Sequence, residues 1–141
     1  MIQRIQSVYL LLAVAASYEM ISLPLFKATL VSGNVTTFLA TESLPTFAIA
    51  IVVGLLALVT IFLFKNRKLQ MKLLLLGILL SAGLVALVVY MFNSFGKTPD
   101  VAKTSYSWGA LLPIAMFSLF ILAWSNIRKD EKLIKSLDRL R

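Results

Sequence analysis

Two uncharged apolar runs, Thr46 to Phe64 and Leu73 to Phe92, flank the eight residues KNRKLQMK, Lys65 to Lys72. Each run has roughly the 20 residues that an α-helix needs to cross a hydrocarbon core of about 30 Å. The octet between them carries Lys65, Arg67, Lys68 and Lys72 and no acid. Basic residues collect on the cytoplasmic side of membrane proteins, so the pattern predicts two spanning helices joined by a short cytoplasmic turn. The chain before that turn has to come down through the membrane, and the chain after it has to return.

Composition agrees with that frame. Of 141 residues, 60% are hydrophobic and the mean hydropathy is +0.91, whereas an ordinary soluble domain is about half apolar. Four spans of about 20 residues fill such a length, so residues 1–141 are expected to form a single domain. The expected fold class is therefore an all-α membrane protein with four transmembrane helices. The first span runs from about Ile5 to Leu23 and is stopped by Pro24, which cannot continue the helical hydrogen-bond ladder. The second covers about Pro45 to Phe64, the third about Leu73 to Phe92, and the fourth about Trp108 to Trp124, with Pro113 expected to bend it slightly. The amino end also has the form of a secretory signal, but the apolar run continues through Met20, Ile21 and Leu23, which favours an uncleaved span.

Between the first two spans the residues change character. Thr29, Val31, Val35, Thr36, Thr37 and Phe38 favour strands on either side of Ser32-Gly33-Asn34. This predicts a β-hairpin within Leu25 to Ser43, outside the membrane, because strand edges cannot stay unpaired in lipid. Asn34-Val35-Thr36 is also a glycosylation triplet, a pattern that arises often by chance. Asn93 to Ser107, with Gly96, Pro99 and three charges, reads as a second outer connection. Trp108 and Trp124, 16 positions apart, are the only tryptophans. At 1.5 Å per residue they stand about 24 Å apart, which suits the two aromatic belts of a bilayer.

Eleven Lys and Arg then fall on the predicted inner side, against Lys27, Lys97 and Lys103 on the outer side. Both termini are accordingly expected in the cytoplasm. The same distribution accounts for the net charge of +8 without nucleic acid, for which no aromatic platform is present.

Chemistry is sparse. The chain has no His and no Cys, which removes thiolate nucleophiles, disulfides and the commonest metal ligands. With no acidic cluster and no Gly-rich phosphate loop, the sequence predicts no enzyme, metal or cofactor. Glu19 is the one ionisable residue within a predicted span. Such a residue is costly in lipid and marks a candidate proton or substrate site, with an interfacial carboxylate near Lys27 as the plainer reading. Small residues four apart, such as Ala13 and Ser17, Ala50 and Gly54, Gly77 and Ser81, and Ala82 and Ala86, would allow close helix packing.

The tail after Trp124 has no glycine or proline to stop the helix. Leu133, Leu137 and Leu140 share one helical face, with Arg128, Lys129, Lys132, Lys135 and Arg139 over the rest. That arrangement suits either a partner protein or anionic headgroups, as an interfacial helix or as a straight continuation of the fourth span.

MIQRIQSVYLLLA at the start and IRKDEKLIKSLDRLR at the end resemble a bacterial family of four-helix integral membrane proteins, domain-of-unknown-function family 4293. The resemblance covers the full length and implies a four-helix inner-membrane protein of bacterial source, with no catalytic or binding residue carried over. The expected function is that of a non-enzymatic accessory or scaffolding subunit bound to another membrane protein, with a second copy of the chain open as a partner. The alternatives are a small proton-coupled transporter using Glu19, by likeness to the four-helix multidrug transporters with a glutamate in their first helix, or a lipid-binding membrane protein.

Overall fold

A computed structural model describes residues 3–63 and 66–138. Its four long helices are α1 (Gln3–Ser22), α2 (Leu44–Phe62), α3 (Arg67–Phe95) and α4 (Leu112–Asp138). Each packs beside its neighbours in sequence, and α4 closes the ring against α1. All four are long and apolar enough to cross a membrane. Every helix buries one stripe: on α3 it consists of Gln70, Leu74, Gly77, Ser81, Leu84 and Val88, the three-and-four spacing of one helical face.

Lipid is as apolar as a leucine side chain, so helices in it hold together by close contact and interhelical hydrogen bonds. Both occur where small residues lie. Ser17 donates its hydroxyl to the carbonyl of Ala50 at 2.7 Å, and a Cβ on Gly54 would come within 2.5 Å of the Ser17 oxygen. Gly77 likewise lies directly against the ring of the fully buried Phe120. Ala82 and Ala86, by contrast, are exposed on the outer surface of α3.

At one end of the bundle the connections form a sheet. Strand β1 (Pro24–Leu30) pairs antiparallel with β2 (Val35–Leu39) through a turn in which Gly33 takes a φ of 85°, a left-handed conformation that glycine adopts without strain. The expected hairpin is therefore present, but it is part of a larger unit. Val101–Tyr106 forms a third strand, β3, on the other edge of β1, giving the order β2-β1-β3. The second outer connection is thus not simply a loop, and the fold is mostly helical with a three-stranded sheet rather than purely all-α. A register shift between Pro24 and Phe26 lets both Leu25 and Phe26 be fully buried, as a bulge does.

Two helix boundaries also differ from expectation. Lys65 to Lys72 is not a turn over its whole length, because α3 begins at Arg67 and takes Arg67, Lys68 and Lys72 into its first turns. Arg, Lys, Leu, Gln and Met are all good helix formers, so nothing there holds the chain open. The connection is tight: Gln70 donates its side-chain amide to the carbonyl of Thr60, one of the last carbonyls of α2 that lack a partner within the helix. At the other end, Trp108–Leu111 is a 3-10 helix and α4 starts at Leu112. Pro113 is then the second residue of α4, where its missing N–H costs no hydrogen bond and no bend is required.

Candidate functional site

The charged residues singled out in the sequence fall into three places. Glu19 stands one turn before the end of α1, exposed on the outside of the bundle. It lines neither of the two grooves described below, and Tyr18 beside it is 70% exposed.

The tail is helical and continuous with α4, which runs unbroken to Asp138. Its first turns are anchored: Ile127 is buried, and the buried Gln6 of α1 donates its amide to the Asp130 carboxylate at 2.8 Å. Lys129 just before that point, and Lys132 and Leu133 beyond it, are exposed, Leu133 by 56%. The side chains of Lys135 and Leu137, together with Arg139, Leu140 and the loop residue Lys65, lie outside the described residues.

The third place combines two segments that lie far apart in the sequence. Lys68, Met71, Lys72 and Leu75 of α3 and Trp124, Arg128 and Glu131 of α4 line one groove of about 460 Å³. On α3 these positions follow the i, i+3, i+4, i+7 pattern of a single helical face, and on α4 the i, i+4, i+7 pattern. The Arg128 guanidinium carbon lies 5.0 Å from the centre of the Trp124 ring, within cation–π range. Three cations and one carboxylate line it together with methionine, leucine and tryptophan, giving an amphipathic cleft of net positive charge. In the sequence Lys68 and Lys72 belong to a topology signal and Arg128 to the tail. Because the basic octet is helical from Arg67 onward, the fold brings them onto one surface.

A larger groove, about 720 Å³, opens at the sheet end between α3, β3 and the start of α4. Val85, Val89, Leu111 and Ile114 supply its apolar wall, and Lys27, Ser105 and Ser107 its polar rim. Trp108, also on its wall, is 80% exposed. The two tryptophans therefore each border a groove, Trp108 in the 3-10 segment that precedes α4 and Trp124 midway along α4. Counting the 3-10 segment at its longer rise, they are separated by about 26 Å along the axis.

Among the described residues no three His, Cys, Asp or Glu come together as a metal site. No curated protein matches the chain. The model of the domain of unknown function DUF4293 matches residues 2–140, essentially the whole chain, which therefore belongs to that family.

Proposed function

We propose that this is a multi-pass protein of a bacterial inner membrane, with both ends in the cytoplasm, that serves as a non-enzymatic accessory or scaffolding subunit of a larger membrane complex. The orientation rests on the excess of Lys and Arg at the end of the bundle opposite the sheet. The docking role rests on one observation above all: α4 continues as a helix past the Gln6–Asp130 bond, with Leu133 exposed between basic residues. An apolar side chain on a projecting basic helix suits a partner's helical groove.

The test is a truncation that removes Leu133 to Arg141 and keeps Asp130, so that the tie to α1 survives. Native mass spectrometry of protein extracted from its own membrane should give a heteromeric mass for the full chain and a bare one for the truncated chain. If the truncated chain retains every partner, docking through the tail is excluded. Glu19 separates this reading from transport. Glu19→Gln should leave the complex intact, whereas loss of proton-coupled flux in that variant would establish the transporter instead.

A further inference from the structure

We propose that the groove between the first turns of α3 and the end of the α4 span is a binding site for an anionic phospholipid, its phosphodiester held by Lys68, Lys72 and Arg128. Charge complementarity carries the argument. The lining presents three cations against the single carboxylate of Glu131, leaving net attraction for an anion. Lys68 and Lys72 lie one turn apart on one helix, and Arg128 faces them from the next. A tetrahedral phosphate is thereby approached from two sides. Arg128 lies over the Trp124 ring, and a guanidinium offers a fork of N–H donors suited to phosphate oxygens.

The apolar part of the lining decides in favour of a lipid over a dissolved anion. Met71 and Leu75 follow Lys68 and Lys72 along α3, toward the uncharged stretch that starts at Leu73. A headgroup seated at the cations would therefore lay its acyl chain along α3 and α4, both long and apolar enough to cross a membrane. Tryptophan at this level is the usual marker of the headgroup boundary, and basic pockets between spanning helices are known to take anionic headgroups.

Fluorescence of Trp124 reads the site directly. Full-length protein carrying Trp108→Phe would be reconstituted into phosphatidylcholine vesicles containing a few per cent of brominated phosphatidylglycerol. Quenching of Trp124 should exceed that by the same fraction of brominated phosphatidylcholine. The paired change Lys72→Gln with Arg128→Gln should weaken this preference about 25-fold, since each well-placed base is worth roughly a factor of five near an anionic surface. The paired change Lys129→Gln with Lys132→Gln removes the same charge outside the groove and should weaken the preference far less. Equal losses in the two variants would mean that surface charge alone attracts the lipid, and the site would be refuted. Relief of quenching by millimolar inorganic phosphate would refute it too, in favour of a soluble anion.

Discussion

The two ends of the helical bundle are held by different chemistry. At the sheet end, Phe26 is wholly buried and its ring meets Phe38, Phe92 and Phe95 at centroid distances of 4.9, 6.0 and 5.5 Å. Tyr106 of β3 stacks on Phe92 at 3.8 Å. Gly109 lies against the backbone of Leu23 and Pro24, where α1 passes into β1. Aromatic packing and strand pairing thus lock all four helix ends together. At the basic end polar bonds such as Gln6 to Asp130 and Gln70 to Thr60 join the helices, beside the buried Ile127. The sheet end spends its residues on fixing geometry, while at the basic end Lys68, Lys72, Arg128, Lys129 and Lys132 are exposed.

That contrast can be broken by substitution. Phe26→Ala should have the largest effect, about 3–5 kcal/mol, because it empties the centre of the aromatic cluster. Reversible unfolding in mixed micelles would measure it. Gly109→Val forces a side chain against the Pro24 carbonyl and should cost about 1–3 kcal/mol in the same assay. At the basic end, Gln6→Leu should cost only about 1–2 kcal/mol, the value of a hydrogen bond to a charged group that water can partly replace. If it matched Phe26→Ala, the asymmetry between the ends would be gone. Smallest of all, Lys72→Gln should move stability by no more than about 0.5 kcal/mol. A larger change would make Lys72 part of the scaffold, not of a recognition surface.

Much of this was legible in the sequence. The spans were, because a run such as Thr46 to Phe64 without a charge has few other fates. Small residues at Ser17, Gly54 and Gly77 signalled the close contacts they make, but the same spacing at Ala82 and Ala86 marks an exposed face, and spacing alone cannot tell these apart. Strand β3 was hidden because a strand is defined by its partner: Val101, Thr104 and Tyr106 have strand propensity, yet only the fold brings β1 beside them. The groove was hidden for another reason. Four basic residues in a row of eight read first as a topology signal, and that reading obscures the helical spacing of Lys68, Met71, Lys72 and Leu75. Glu19 was the most conspicuous residue in the sequence, yet it lies outside the bundle, since one charge in an apolar run says nothing about which way it faces.

The strand order β2-β1-β3 has a consequence for how the molecule is made. A chain synthesised from its amino end can pair β1 with β2 as soon as the first connection has emerged, but the other edge of β1 stays open. Its partner lies beyond both α2 and α3 in the sequence. The edge can be closed only after those two helices have been made and β3 has come to lie beside β1. Until β3 arrives, both edges of the β1–β2 hairpin are open to pairing with another chain, and the fold closes the β1 edge last.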